Sequence, residues 1–239
     1  MHKSLILDKL ITSEEKIFKI IDKGDKSLNN CLVTYFNQHC YNIYYSNKAY
    51  QLLINNYFKT YIDGIGMFLT MKIFGYPLGK RFNASDLNEK FFQFFIERNY
   101  RIYIVGGKFS KDLITSIDKK LNLIGYRSGF FTNSEEEELI IDIYMKNPDV
   151  VIVGMGVPKQ EFFSARLSKK LKGKTIICVG NFLEFHFGII KRIPKSLRNL
   201  GVEWIFRLIV EPKRLWKRYM IGIPVFFFLI LKECLSKGK

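Results

Sequence analysis

The chain has 239 residues, of which 48% are hydrophobic and 25% charged. This length and composition are typical of one α/β domain with a modest appendage and exclude a disordered chain. Its net charge of +16 favours an anionic partner, namely a phosphorylated small molecule, an acidic membrane or nucleic acid, although a lysine-rich surface alone would give the same sum. The four cysteines and three histidines form no cluster or close pair, so the sequence predicts neither a metal site nor disulfides, and we expect mostly buried cysteines in a reducing, cytoplasmic setting.

Strands and helices alternate along the first three quarters of the chain. The predicted strands cover 31–36, 57–62, 101–105, 150–153 and 175–179. The predicted helices start at Thr12 (as a capping box), Ser46, Ser85, Ser110, Ser134 and Lys159. Near-continuous apolar strands that alternate with helices predict an α/β, Rossmann-like fold with a largely parallel sheet flanked by helices.

Four of these strands end in a glycine or polar turn. The turns are Asp63-Gly64, Gly106-Gly107, Gly154-Met-Gly156 and Gly180-Asn181. Ligands of an open parallel sheet bind beyond the carboxyl ends of its strands, where glycine lets a backbone approach a phosphate closely. One such turn is weak evidence, but four on one edge predict a pocket for a nucleotide or a phosphosugar.

The segment from Gly154 to Glu161 follows one of these strands and opens a helix. Pro158 suits the first helical turn, where its missing N–H costs nothing. We expect Lys159 and Gln160 to project from that turn into the pocket, whereas Glu161 would also serve simply to complement the helix dipole.

Two charged positions have both a chemical and a structural interpretation. Asp63 stands at a strand end, where a carboxylate acts as a general base if a substrate hydroxyl comes within reach. Taken alone, however, the residue pattern favours an aspartate that caps the next helix. Arg81 suits bidentate phosphate binding, and its alternative is a solvated loop charge.

The C-terminal fifth of the chain is the most basic part. Between residues 191 and 239, 12 lysines and arginines face three acids, and aromatic residues recur among them at helical spacing. We therefore expect a catalytic domain over 1–194 and a basic helical appendage over 195–239, which either docks on a membrane surface or packs on the core. The apolar run 220–231 is shorter than the roughly 20 residues of a spanning helix, and residues 1–10 do not resemble a signal peptide.

Taken together, these motifs resemble the WecG/TagA/CpsF family of glycosyltransferases from about residue 33 to 231. The resemblance implies an inverting, metal-independent enzyme with no cofactor. It would move a hexose, with N-acetylmannosamine or its uronic acid as first choice, from a UDP-sugar to a sugar on undecaprenyl diphosphate. Such an enzyme would serve polysaccharide synthesis from the inner face of the cell membrane as a peripheral protein, and self-association would be compatible with it.

The resemblance also assigns roles to residues of this chain. Asp63 matches the proposed catalytic base, and Arg81 and Gln160 match substrate-contacting positions. Arg207, Arg214 and Lys217 fall in the appendage that would close over the site and stabilise the leaving diphosphate. The remaining positions expected to contact substrate are Thr34, Asn37, Gly64, Gly66, Gly106, Gly107, Gly156, Pro158 and Glu184.

Three positions depart from the family pattern. The family's Thr-x-Asn matches Asn37, but Tyr35 takes the place of the threonine unless the chain shifts to use Thr34. Glu184 replaces an aspartate that would contact the nucleotide, and Lys217 replaces a common arginine. A different donor sugar or weakened activity would follow from such changes.

Several rival functions stay open at this point. A glucosyl or galactosyl transferase of exopolysaccharide assembly would carry the same motifs, and so would a catalytically silent relative. A nucleotide-sugar epimerase or hydrolase would need no lipid acceptor. A nucleic-acid-binding module would explain the charge, but the sequence has no helix-turn-helix or comparable motif, so we expect no nucleic acid partner.

Overall fold

A computed structural model describes residues 6–25, 29–79, 81, 83–191 and 203–237. Its strands are β1 (Cys31–Phe36), β2 (Phe58–Ile62), β3 (Ile102–Gly106), β4 (Leu123–Arg127), β5 (Val150–Gly154) and β6 (Thr175–Cys178). They form one sheet in the order β2-β1-β6-β5-β3-β4, and every neighbouring pair is parallel. The predicted α/β fold with a largely parallel sheet is confirmed.

Helices cover both faces of this sheet. Those before the C-terminal segment are α1 (Glu14–Asp25), α2 (Gln38–Ser46), α3 (Lys48–Tyr57), α4 (Gly64–Ile73), α5 (Ala84–Glu97), α6 (Lys111–Ile117), α7 (Asn133–Lys146), α8 (Lys159–Ser168) and α9 (Phe182–His186). Alternate residues of a strand point to opposite faces. Accordingly, the Cys31 thiol contacts the Ile20 carbonyl of α1, whereas the Thr34 hydroxyl donates to Glu161 of α8 at 2.8 Å. Burial on both sides explains the unbroken apolar strands.

Strand β4 was not predicted, because its sequence lacks the features of a buried strand. It lies at the sheet edge, is only partly buried and contains Gly125. A Cβ at that glycine would lie 2.3 Å from the Tyr103 ring of the neighbouring strand. Glycine therefore makes room for a large side chain on β3, and this packing reason is not visible in the local sequence.

Five of the six predicted helix starts are wrong by one or two residues, because these helices begin at Glu14, Lys48, Ala84, Lys111 and Asn133, whereas the start at Lys159 is confirmed. The capping side chain is Ser13 instead of Thr12 and Asn83 instead of Ser85, and Thr132 caps the helix that begins at Asn133. Each segment offers several polar residues that could cap, and the loop entering the helix selects among them. The capping box lies at Thr132 and Glu135, not at Thr12.

Two short helices follow β1 and β2 without a clear sequence signal. Helix α2 begins after Asn37, whose side-chain oxygen accepts from the backbone N–H groups of His39 and Cys40 at 3.1 and 3.2 Å. Helix α4 begins after Asp63 and is apolar on all sides, so it shows no amphipathic period. Their starts fix Asn37 and Asp63 at the carboxyl edge of the sheet.

The C-terminal segment is helical over its described length. It comprises α10 (Glu203–Val210), α11 (Pro212–Trp216), a π-helical turn (Lys217–Ile221) and α12 (Gly222–Lys237). Pro212 opens a helix at its first position, where its missing N–H leaves no hydrogen bond unmade. The predicted boundary between residues 194 and 195 lies outside the described residues.

Helix α12 packs against α2 and so returns the end of the chain to the sheet edge. The buried Phe226 ring meets the Tyr41 ring at 5.3 Å, and the Asn42 amide donates to the Gly222 carbonyl at 2.7 Å. Tyr41 and Tyr45 both hydrogen-bond Glu233 farther along the helix. These contacts place the basic turn before α12 beside the ends of β1 and β2.

A largely buried histidine joins three further elements. The His186 ring at the end of α9 contacts Glu89 of α5 at 3.0 Å and Asp118 after α6 at 2.6 Å. Burial alone would lower the pKa of His186, but the hydrogen bonds and charges of the two carboxylates outweigh it and raise the pKa to about 9. The ring is thus a cation at neutral pH.

This ion pair predicts a pH-dependent contribution to stability. The pKa of His186 is higher in the folded state (about 9) than in the unfolded state (about 6.5). The contribution is therefore fully present below pH ~6.5 and is lost as the pH rises through ~9, a change of about 3 kcal/mol. In urea titrations, the free energy of unfolding of wild type should exceed that of H186Q at pH 6, and this difference should shrink by about the same amount by pH 9.5. A difference that does not change with pH would contradict the ion pair.

Candidate functional site

A cleft of about 790 Å³ lies at the carboxyl edge of the sheet, a size suited to a nucleotide-sugar. Every strand contributes residues at or just beyond its carboxyl end: Asn37 after β1, Asp63 after β2, Gly107 after β3, Gly129 after β4, Gly154 and Gly156 at β5, and Gly180 after β6. The prediction that the four glycine turns meet at one edge is confirmed.

Asp63 occupies the end of β2 with its carboxylate held by two donors. One oxygen accepts from the Asn37 side chain at 3.3 Å, and the other accepts from the Ala84 backbone N–H at 3.0 Å. The side chain makes no cap bond to α4, the helix that follows it. The expectation from the residue pattern alone, a simple helix cap on that helix, is therefore wrong. Each oxygen keeps acceptor capacity for a substrate hydroxyl.

The segment after β5 divides its side chains between the cleft and the core. Lys159 lines the cleft and donates to the Gly129 carbonyl at 3.0 Å. The expectation that Gln160 also projects into the pocket is wrong, because its side chain is fully buried. Pro158 forms the N-cap of α8, not its first turn, and does not line the cleft.

The buried side chains below the cleft form one hydrogen-bonded network. Gln160 accepts from the Gly180 N–H at 3.0 Å and donates to Glu161 at 2.8 Å. Thr34, which also does not reach the cleft, donates to the same Glu161 oxygen at 2.8 Å. The network joins β1, α8 and the turn after β6, so it positions the cleft floor from beneath. Direct substrate contacts for Thr34 and Gln160 stay predictions.

Glu161 is the charged member of this network. Burial raises the pKa of Glu161 to about 7, and the hydrogen bonds from Gln160 and Thr34 offset part of that effect. The sequence predicted no role for Glu161 beyond that of an acid that complements the helix dipole. The structure instead shows a fully buried carboxyl that connects three elements.

The C-terminal helices form one wall of the cleft. The predicted cations Arg207, Arg214 and Lys217 all line it, together with Arg218. Arg214 is held by Glu211 at 2.7 Å, and the Arg207 guanidinium lies 4.7 Å from the centre of the Phe185 ring. The structure thus brings the basic end of the chain to within reach of a ligand at the strand ends.

Two of these arginines have unused donors. The Nε atoms of Arg207 and Arg218 are buried and lack a hydrogen bond among the described residues, although the Arg207 Nε is ion-paired with Glu203 at 3.8 Å. A buried donor without a partner costs about 1–3 kcal/mol. An anionic or oxygen-rich ligand in the cleft would satisfy both groups.

Glu184 lines the cleft on α9. Burial raises the pKa of this carboxyl, while Arg214 acts to lower it. The longer side chain that replaces the family aspartate lines the cavity, and its contact to the nucleotide stays a prediction.

Sequence reasoning missed several cleft residues, of which Tyr35, Arg218 and His39 bear most directly on the chemistry of the site. Tyr35 points to the turn after β6, Arg218 projects from the π-helical turn, and His39 lies at the start of α2. Burial, together with nearby Arg218, lowers the pKa of His39 to about 4, so its ring is neutral at pH 7. The tyrosine in place of the family threonine was the available signal for Tyr35.

The remaining predicted glycines and Arg81 take different places. Gly64 and Arg81 line a second, smaller cavity of about 90 Å³ beside Asp63. A Cβ at Gly106 would lie 2.5 Å from the Gly154 carbonyl oxygen, so that glycine allows two strand ends to approach. Gly66 lies in α4 beneath Phe226, where it serves helix packing, and neither Gly66 nor Gly106 lines the described cleft.

No group of three histidine, cysteine, aspartate or glutamate side chains could hold a metal ion within the described part of the chain. The described cysteines are free, and Cys31, Cys40 and Cys178 are buried as expected.

Comparison with known proteins gives a consistent result. The family model described as "Glycosyl transferase WecG/TagA/CpsF family" matches residues 8–239. A protein of Staphylococcus aureus (strain MRSA252), named N-acetylglucosaminyldiphosphoundecaprenol N-acetyl-beta-D-mannosaminyltransferase, is 25% identical over 214 residues, covering 87% of this chain and 83% of the relative. A protein of the same name from Staphylococcus aureus (strain NCTC 8325 / PS 47) matches with the same identity and coverage.

Tyr35 packs against Gly180, so we predict that the cleft floor requires glycine at position 180. Gly180 has φ +59°, and a Cβ there would lie 2.4 Å from the Tyr35 hydroxyl oxygen. G180A should lower the free energy of unfolding by more than the ~1–2 kcal/mol of left-handed strain alone. The matched control is G188A, at φ +73° with no atom within 4 Å of the added Cβ.

In urea titrations, G180A should lose more stability than G188A, and Y35F should restore part of the loss in the double variant. Equal losses in G180A and G188A would show that the tyrosine does not restrict this turn.

Proposed function

The chain belongs to the glycosyl transferase WecG/TagA/CpsF family and is a glycosyltransferase, and we propose that it moves N-acetylmannosamine or a related hexose from a UDP-sugar to a sugar on undecaprenyl diphosphate. The names of the relatives support this choice, since they specify an N-acetylmannosaminyl group and an N-acetylglucosaminyldiphosphoundecaprenol acceptor. The observation that carries the proposal is the oriented carboxylate of Asp63 at the mouth of the cleft.

The donor would lie across the carboxyl ends of the strands. Glycine turns there allow its diphosphate to approach the backbone, and Lys159 stands in the first turn of α8, where the helix dipole also favours an anion. Arg207, Arg214 and Lys217 would face the same diphosphate from the C-terminal wall. Glu184 would contact the nucleoside.

Asp63 would act as the general base. It takes the proton of the acceptor hydroxyl while the hydroxyl oxygen forms a bond to the anomeric carbon and the bond from that carbon to the diphosphate oxygen breaks. The configuration at the carbon inverts, and UDP leaves. The Asn37 amide and the Ala84 N–H fix the position of the carboxylate.

Charge on the departing diphosphate needs compensation, and the basic wall would supply it. Arg207, Arg214, Lys217 and Arg218 provide preformed cations in a partly enclosed site, which is the most effective position for electrostatic stabilisation. We therefore expect transfer without an added divalent metal, and activity that persists with a chelator would support this.

Membrane contact would come from the outer face of α12. Phe227, Phe228 and Leu231 are all more than half exposed, and Lys232 and Arg218 lie nearby in the sequence. Among the described helices, none is long and apolar enough to cross a membrane. A half-exposed aromatic and basic helix suits peripheral binding to an anionic surface, where a lipid-linked acceptor would be found. Self-association stays a prediction.

Replacing the base tests the proposed mechanism. D63N keeps an acceptor for the Ala84 N–H but removes the basic oxygen, so kcat should fall about 10²–10⁴-fold. UDP release with UDP-N-acetylmannosamine and a soluble lipid-diphosphate N-acetylglucosamine gives the rate. UDP affinity by calorimetry and the thermal midpoint should stay near wild type. Wild-type turnover in D63N would rule out this base.

Replacing the exposed apolar face of α12 tests the membrane proposal. F227S/F228S/L231S should weaken sedimentation with phosphatidylglycerol vesicles at least tenfold, because apolar surface that would enter the interface is lost. The matched control is I141S/Y144S/M145S on α7, which removes three equally exposed apolar side chains. If both variants lose vesicle binding equally, α12 is not the docking surface.

A further inference from the structure

A second cavity adjoins the main cleft at the catalytic carboxylate. It has a volume of about 90 Å³, and Asp63 and Asn37 line both spaces, so they form part of the wall between them. Arg207 and Arg218 also face both. The larger space suits a whole nucleotide-sugar, whereas the smaller one holds roughly the volume of three waters.

We propose that this second cavity binds the reacting edge of the acceptor sugar, an inference that rests on the proposed function. In an inverting displacement, the attacking hydroxyl and the leaving diphosphate lie on opposite sides of the anomeric carbon. The acceptor must therefore reach Asp63 from a different side than the nucleotide. The small cavity provides a separate approach to the same carboxylate.

The walls of the cavity have the chemistry that a pyranose requires. Trp204 supplies a flat apolar surface for the C–H face of a sugar ring, and its indole is held against the Tyr219 ring at 5.5 Å. Asn83 and Glu203 supply planar polar groups for hydroxyls, and the Asn83 amide donates to Glu203 at 3.0 Å. Flat apolar and planar polar walls together favour an uncharged sugar edge.

The charges at the boundary give the acceptor its orientation. Arg81 lines the small cavity, and Arg207 and Arg218, whose buried Nε atoms make no hydrogen bond to a described residue, line both spaces. The Arg207 Nε is ion-paired with Glu203, another residue of the small cavity, at 3.8 Å. A sugar with one edge inside would keep its own diphosphate at the mouth of the cavity, close to these cations. The alternative occupant is the donor diphosphate, and the experiment below distinguishes the two.

Steady-state kinetics test which substrate the cavity binds. With UDP-N-acetylmannosamine and an alkyl-diphosphate N-acetylglucosamine, W204A should raise the acceptor KM at least tenfold and change the donor KM less than twofold. W204F should recover most of the loss. N83S keeps a helix-capping oxygen but loses the contact to Glu203, so it should also raise the acceptor KM. The control is I209A, an exposed position on the same helix.

A binding measurement gives a readout that does not depend on turnover. The chain has two tryptophans, so W216F leaves Trp204 as the only indole reporter. The acceptor analogue should change its fluorescence saturably, and saturating UDP should not compete.

The outcomes separate the two proposals. Unchanged Trp204 fluorescence, competition by UDP, or a selective rise of the donor KM in W204A would overturn the acceptor site while leaving the glycosyltransfer proposal intact. Saturable binding of the analogue without any sugar transfer by wild type would support the site and contradict the proposed substrates.

Discussion

The parallel direction of all six strands is the constraint on which the rest of the structure depends. It gathers every strand's carboxyl end at one edge, so a short segment after each strand faces the same space. Asp63 uses this geometry directly. Its carboxylate bonds to Asn37 after the neighbouring strand and to the backbone at the start of α5, and these contacts fix it at the cleft. In the proposed mechanism, a base held by three elements would need little reorganisation during reaction.

The second structural condition is the return of the chain's C-terminal end to this edge. Helix α12 is anchored on α2 through the buried Phe226, and that contact brings the π-helical turn with its cations over the strand ends. The same segment presents apolar residues outward. In the proposed mechanism, substrate binding, charge stabilisation and contact with a lipid surface would therefore involve one stretch of chain, the stretch in which the basic residues are concentrated.

Much of this arrangement was predictable from local patterns, and the exceptions have physical causes. The apolar strands predicted the parallel sheet, the glycine turns predicted the edge at which the cleft lies, and the family motifs indicated Asp63. Sequence periodicity could not reveal β4, because its glycine is required by the Tyr103 side chain on the neighbouring strand. Nor could it reveal the buried side chains below the cleft floor, because only tertiary packing turns Gln160 inward while the adjacent Lys159 faces the cleft. Arg218 was missed because the π-helical turn shifts the face on which it projects.

Hydrogen exchange with and without UDP tests the central claim most directly. If the nucleotide lies between the strand ends and the C-terminal wall, UDP should slow amide exchange in 154–161, 179–185 and 203–219 together, while α7 (133–146), which lies away from the cleft, should stay unchanged. Protection confined to other parts of the sheet, or a response of the strand ends with none in 203–219, would show that the two walls do not form one site.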